Sequence, residues 1–106
     1  DNPVINDAYI AFTGKNTAET IKKATKGELK SNYAFSYVLA TITDQSGNVV
    51  SSWTMNKNLT TSTLNMSVLY NALKISSLPA GTYTYNLRAG IARGNCDVET
   101  VTFTVG

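Results

Sequence analysis

The chain has 106 residues, of which 15% are charged, and its formal net charge at pH 7 is +2. This length supplies material for one hydrophobic core, so we expect a single domain that spans residues 1–106. The low charge content and the abundance of Thr, Ser and Asn exclude a disordered chain and a helical bundle, and they are typical of a β protein with a threonine- and serine-rich surface.

The first third of the chain predicts three short strands. The first is expected at about 7–12, with Tyr9 and Phe12 facing the core. In the lysine-rich stretch that follows, AETIKKATKGELKSNY, the threonines and Gly27 argue against a helix. We expect this stretch to form a short strand near 19–23, a turn at Lys26–Gly27 and a second short strand at 28–31.

Residues 34–55 carry the clearest hairpin signal. An alternating pattern places Val38, Ala40 and Ile42 on one face of the first strand. The sequence DQSGN at 44–48 supplies the Asp, Ser, Gly and Asn residues that favour a chain reversal. The return strand at 49–55 then presents four residues on one face: Val49, Ser51, Trp53 and Met55.

The remaining chain predicts one helical turn and further strands. Residues 56–67 are polar and turn-like, and VLYNALKISSL predicts a helical turn followed by a strand at about 72–76. Strands at 82–89 and 98–105 flank a turn at 90–97, and Val101, Phe103 and Val105 of the last strand face inward. About seven short strands with turn signals every 8–12 residues predict an immunoglobulin-like antiparallel β-sandwich with a Greek-key topology.

The sequence LPAGTYTY at 78–85 predicts a corner that leads into a strand. Leu78 is expected to plug the core, and Pro79 and Gly81 to form the bend. In Greek-key sandwiches a tyrosine near the start of the penultimate strand donates its hydroxyl to backbone upstream, and Tyr83 fits that position. The alternative is that Tyr83 and Tyr85 stack on a sugar. Because Leu87 and Ala89 continue the same face, a structural role is favoured.

Four motifs in order over residues 27–105 resemble those of a known family. The motifs are a G-x-I-x-S-x-Y pattern at Gly27, Leu29, Ser31 and Tyr33, a hairpin pattern at Val38, Ala40, Ile42, Asp44 and Gly47, a corner at Leu78, Gly81, Tyr83 and Tyr85, and a final F-x-V at Phe103 and Val105. Together they are similar to the immunoglobulin-like modules attached to secreted cell-wall hydrolases and other surface enzymes of Gram-positive bacteria. The lysine-rich stretch before Gly27 has no match in that pattern.

This resemblance implies an accessory role. The modules of that family carry no catalytic residues and lie beside an amidase, a peptidase or a glycosidase. The resemblance therefore implies a secreted or cell-surface bacterial protein whose partners are neighbouring domains of the same polypeptide. Because the chain begins at DNP and stops at FTVG, we expect a module excised from a larger multidomain protein.

The residue types available leave little room for catalysis. The sequence has no histidine and one cysteine, Cys96, which excludes Ser–His and Cys–His pairs and zinc sites built from His and Cys. A lone thiol is more often inert than reactive, and DQSGN lacks the spacing of an EF-hand loop. The carboxylates are interpreted as turn residues (Asp44, Asp97), near-terminal residues (Asp1, Asp7) and solvated side chains (Glu19, Glu28, Glu99). We expect no enzymatic activity, metal or cofactor.

Two kinds of binding site remain open beside a plain spacer. Sugar recognition needs exposed aromatic rings, and the candidates are Trp53, Tyr33, Tyr37 and Tyr70, although a lone Trp on a central strand of such folds usually lies in the core. An anionic wall polymer would contact the lysine-rich stretch at Lys22, Lys23, Lys26 and Lys30, for which a solvated charged edge is the simpler interpretation. The small net charge does not predict nucleic acid as a partner, and no apolar run approaches the roughly 20 residues of a membrane span.

Overall fold

The chain folds as a β-sandwich of two antiparallel four-stranded sheets. This computed structural model describes Val4–Ile5 and residues 8–55 and 62–106, with side chains from residue 8 onward. The strands are β1 (Val4–Ile5), β2 (Ala8–Thr13), β3 (Glu28–Ser31), β4 (Phe35–Asp44), β5 (Val49–Met55), β6 (Thr63–Asn65), β7 (Gly81–Ile91) and β8 (Gly94–Val105). One sheet has the order β1–β2–β3–β6 and the other the order β5–β4–β7–β8.

The core lies between the two sheets and is built by alternation along the strands. On β4 the buried side chains are Val38, Ala40 and Ile42, as the sequence predicts. On β7 the buried face is Tyr83, Tyr85, Leu87 and Ala89. The sandwich prediction is confirmed, whereas the Greek-key connection and the likeness to immunoglobulin-like modules stay predictions.

The inward face of β2 differs from the prediction. Ala8, Ile10 and Phe12 are buried, and Tyr9 is 44% exposed. Successive residues of a strand point to opposite faces, so Tyr9 and Phe12, three positions apart, lie on opposite sides. Phe12 faces the core as predicted, and the prediction for Tyr9 is wrong.

The β4–β5 hairpin follows from the chemistry of its turn. The Asp44 side chain accepts hydrogen bonds from the backbone N–H groups of Ser46 and Asn48, at 2.9 and 3.0 Å. Gly47 has a φ of 86°, a conformation that favours glycine. The predicted reversal at 44–48 is therefore confirmed.

Two predicted strands are helical turns instead. At 19–23 the backbone N–H of Ile21 donates to the carbonyl of Thr17, and the hydroxyls of Thr17 and Thr20 each accept a backbone N–H from the other residue. Threonine side chains that bond local backbone in this way compete with strand pairing. At 72–76 the chain passes from α1 (Leu69–Ala72) into a 3₁₀-helix at Ile75–Ser77 through Lys74, whose φ is 56°.

The last hairpin is longer than predicted. The predicted turn at 90–97 contracts to Ala92–Arg93, and β7 and β8 pair from Ile91↔Gly94 to Gly81↔Val105. Their register shifts once, because Leu87 is opposite Glu99 and Arg88 is opposite Asp97. This shift is a β-bulge, which changes the face to which the following residues point.

Two further observations complete the fold. The polar segment predicted at 56–67 contains β6, which pairs with β3, and its residues 56–61 lie outside the described part of the chain. Among the described residues, the helices are all too short or too polar to cross a bilayer.

Candidate functional site

The four aromatic candidates occupy different surroundings. Trp53 lies opposite Ala40 on the half-buried side of the edge strand β5 and packs against the core. The neighbouring Ser52 and Thr54 are exposed on the other side of that strand. The indole is therefore directed toward the inner side of the sheet and not toward its outer surface.

Tyr70 and Tyr33 each have a contact that fixes the ring. The Tyr70 hydroxyl donates to the Lys22 carbonyl at 3.3 Å, and the Tyr70 ring packs against the core. The Arg93 guanidinium carbon lies 5.4 Å from the centre of the Tyr33 ring, within the range of a cation–π contact. Both rings are half-buried, and their contacts hold the segments before β4 and around α1 in place.

The lysine-rich stretch is partly neutralised by its own carboxylates. The Lys22 ammonium lies 3.6 Å from Glu19, and the Lys30 ammonium lies 3.4 Å from Glu28. Lys23 and Lys26 are exposed. Two of the four positive charges thus have a carboxylate beside them, which reduces the attraction of this edge for an anionic polymer.

Tyr37 lies on the outer face of the β5–β4–β7–β8 sheet, in a connected set of polar side chains. The Tyr37 hydroxyl accepts from Arg88 Nε at 3.2 Å, and Arg88 Nη1 donates to Asp97 at 2.9 Å. Arg88 Nη2 donates to the Asn95 side chain, and Asn86 Nδ2 donates to Asp97 at 3.3 Å. We call this set the Tyr37–Arg88 network; its members are Tyr37, Arg88, Asp97, Asn95, Asn86 and Thr100, whose hydroxyl donates to Asn86 Oδ1 at 2.8 Å.

Strand register brings these side chains together. Tyr37 is opposite Gly90, and Gly90 is opposite Asn95. In the next row Arg88 of β7 lies opposite Asp97 of β8. The sequence interpretation of Asp97 as a turn residue is wrong, because β8 begins at Gly94 and not at 98.

The Tyr37 ring lies against the backbone of Gly90. A Cβ atom at position 90 would come within 2.2 Å of Tyr37 Cε1 and 2.6 Å of Tyr37 Cδ1. Only glycine leaves room for this contact without a shift of the ring. The ring therefore lies against Gly90, and the Tyr37 side chain is half-buried on this face of the sheet.

The charges of the network are balanced within it. The hydrogen bond from Arg88 holds the pKa of the Asp97 carboxyl below its ordinary value, with a further contribution from Asn86. The bonds to Asp97 and Tyr37 raise the pKa of Arg88. Cys96, between Asn95 and Asp97 on β8, is half-buried, and burial raises the pKa of its thiol, so the thiolate form is disfavoured.

The corner at 78–85 is tied by one hydrogen bond. The Tyr83 hydroxyl donates to the Pro79 carbonyl at 2.7 Å, and Leu78 packs half-buried against the core. Gly81 is the first residue of β7. A groove of about 480 Å³ opens beside the corner, between Tyr83 and the β4–β5 hairpin, with Asp44 and Lys74 among the residues that line it.

The interpretation of Glu99 as a solvated side chain is wrong. Glu99, interpreted as solvated, is 7% exposed and accepts the backbone N–H of Asn16 at 2.6 Å and its Nδ2 at 2.8 Å. On β8 Glu99 alternates with Val101 and Phe103 and shares their buried face, so the period of two along the predicted strand is the sequence signal that could have located it. Burial raises the pKa of the Glu99 carboxyl, while the bonds from Asn16 and the charge of Lys15 offset part of that rise.

Asn16 extends this contact to a second segment. Its side chain donates to the Lys26 carbonyl and accepts the Lys26 backbone N–H, both at 3.0 Å. Glu99 therefore joins both ends of the segment between β2 and β3 to β8. In residues 8–55 and 62–106, no three His, Cys, Asp or Glu side chains lie close enough together to hold a metal ion.

Comparisons with known proteins give one distant likeness. No family model matches the chain, and no curated protein matches it. Among solved structures it is similar to CopC from Methylosinus trichosporium OB3b, with 17% sequence identity and a TM-score of 0.45, over 90% of this chain and 84% of that chain. A likeness of this size says nothing of a ligand or an activity.

Proposed function

We propose that this domain is a non-catalytic accessory module of a secreted or cell-surface bacterial protein, which holds a neighbouring domain in position or joins it to a surface assembly. The observation that carries the proposal is the use of the carboxylates. The sequence has seven, and without Asp1 and Asp7, which lie outside the described residues, five are left. Each of the five has a hydrogen bond or an ion pair with another group of the chain.

The contacts of these five carboxylates are of three kinds. Asp44 binds the backbone of its own turn, and Glu99 binds Asn16 across the sandwich. The other three form ion pairs: Glu19 with Lys22, Glu28 with Lys30, and Asp97 with Arg88. A pair of carboxylates that acts as acid and base needs both groups directed at one substrate position. The observed arrangement favours a structural task over that chemistry.

The shape of the body also supports a positional role. Its extents are 43 × 25 × 23 Å, and β7 and β8, of 11 and 12 residues, form its longest hairpin. Backbone hydrogen bonds along most of this hairpin hold its two strands in a fixed register. An anionic wall polymer is a less favoured partner, since Lys22 and Lys30 each face a glutamate.

Assays of the isolated chain test the absence of catalysis. We expect no new reducing ends and no new amino groups from peptidoglycan or soluble glycans, with or without added divalent cations. A preparation of the Glu99→Gln variant serves as the control for contaminating enzymes. Release of either product by the wild-type chain that disappears in a carboxylate variant would overturn the proposal.

A further inference from the structure

We infer that the Tyr37–Arg88 network on the outer face of β4, β7 and β8 is a binding site for a neutral sugar ring of a polysaccharide. Tyr37 is the stacking platform, and Arg88, Asp97 and Asn95 are the hydrogen-bonding partners. This inference does not depend on the positional role proposed above, because it concerns a face of the sheet that the fold does not use for its core.

The network combines an apolar platform with planar polar groups. A pyranose ring has an apolar face of C–H groups and an edge of hydroxyls that both donate and accept. Tyr37 and Leu39, both half-buried and two residues apart on the same face of β4, supply apolar surface. Beside them, the Arg88 and Asp97 side chains are 36% and 57% exposed, so their polar atoms are accessible to a ligand.

The balanced charges of Arg88 and Asp97 favour a neutral ligand over an ionic one. Arg88 uses all three of its nitrogens within the network, on Tyr37, Asp97 and Asn95. Its positive charge is compensated by Asp97 at 2.9 Å. An anion would have to compete with Asp97 for the guanidinium, and a cation would have to compete with Arg88 for the carboxylate. A neutral polyol adds hydrogen bonds to both without displacing either.

The side chains are held before a ligand arrives. Tyr37 is fixed by Gly90 below the ring and by Arg88 at the hydroxyl. Asn86 is fixed by Thr100 and Asp97. Ordering a long, freely rotating side chain on binding costs free energy that subtracts from affinity. Because that order already exists here, a sugar ring that binds has a smaller entropic cost to offset.

Affinity electrophoresis tests this inference. The wild-type chain is run through native gels that contain glucomannan, mixed-linkage glucan, galactan or xylan, and through gels with polygalacturonate or dextran sulfate. We expect retardation by at least one of the four neutral polysaccharides and no stronger retardation by the two anionic ones. Salt between about 0.05 M and about 0.5 M screens interactions between exposed charges. A neutral sugar makes no such interactions, so its retardation of the chain should be the same at both salt concentrations.

Variants assign the binding to the network. Tyr37→Ala should weaken binding on the order of tenfold or more, and Asn95→Ala, at an exposed position, should weaken it severalfold. Tyr9→Ala, which removes an exposed tyrosine from the other sheet, is the matched control and should bind as the wild type does. Circular dichroism confirms that each variant is folded. If Tyr37→Ala does not fold, Asn95→Ala decides.

Three results would overturn the inference. One is the absence of retardation by all four neutral polysaccharides. Another is binding that resides in the anionic gels and is lost at high salt. The third is binding to a neutral polysaccharide that is unchanged in folded Tyr37→Ala, or in Asn95→Ala if Tyr37→Ala is unfolded.

Discussion

At the scale of single residues, two tyrosines on β7 differ in one contact. Tyr83 and Tyr85 are both buried in the core. The Tyr83 hydroxyl donates to Pro79, whereas the Tyr85 hydroxyl is buried with no hydrogen-bond partner among the described residues. Burial, and to a smaller degree the charge of Glu99, raises the pKa of Tyr85. Removing the hydroxyl should therefore lower the free energy of unfolding at position 83 but not at position 85.

We expect Tyr83→Phe to lower the free energy of unfolding by about 1 kcal/mol, the net contribution of one intramolecular hydrogen bond. Tyr85→Phe, the matched control, should leave it unchanged or raise it, because the variant no longer buries an unpaired hydroxyl. Urea midpoints, with the slopes unchanged, measure both effects. An unaltered midpoint in Tyr83→Phe, or equal losses in the two variants, would contradict this account of the corner.

At the scale of elements, Glu99 couples β8 to the segment between β2 and β3. Its folded pKa is raised, so the folded state holds its proton more tightly than the unfolded chain does. The resulting contribution to stability is fully present below the unfolded pKa of the glutamate and is lost as the pH rises through the folded pKa. Acidification from neutral pH toward the unfolded pKa of glutamate should therefore stabilise the wild-type chain through this group.

The Glu99→Gln variant isolates that contribution. We expect the melting temperature of the wild type, relative to the variant, to rise as the pH is lowered from 7 toward the unfolded pKa of glutamate. Glu28→Gln, which removes an exposed ion-pair partner, is the control and should not reproduce this difference. Thermal melts followed by circular dichroism across this range provide the measurement. A difference that is constant or that grows toward pH 7 would show that burial does not dominate the titration of Glu99.

The elements that sequence predicts correctly are those fixed by local chemistry. The β4–β5 hairpin follows from alternation and from the DQSGN turn, and the position of Tyr83 follows from the corner sequence. The helical turns at 19–23 and 72–76 were not predicted, because threonine side chains bonded to local backbone and the left-handed Lys74 override a weak strand pattern.

The Tyr37–Arg88 network depends on information that lies outside any local stretch. Tyr37 appears among the sequence candidates as an aromatic residue, but its partners come from β7 and β8. Their positions depend on a two-residue turn at Ala92–Arg93 and on the bulge before Glu99. A shift of one residue in that pairing would send Asp97 to the other face of the sheet. Register, and not composition, creates the network.

At the scale of the whole molecule, the sandwich is an elongated body whose longest strands are paired from end to end. The two sheets enclose one cluster of buried apolar side chains, and the segment between β2 and β3 is tied across the sandwich by Asn16 and Glu99. Such a body should move as a unit. It differs in this respect from a flexible linker, whose ends approach and separate freely.

The most direct test of the positional role is a single-molecule energy-transfer measurement. The chain is placed between a donor and an acceptor fluorescent domain, with a Gly/Ser linker of 106 residues as the control. We predict one narrow distribution of transfer efficiencies, narrower than that of the linker and constant on warming until the domain unfolds. A distribution as broad as that of the Gly/Ser linker at temperatures where the domain is folded would contradict the account.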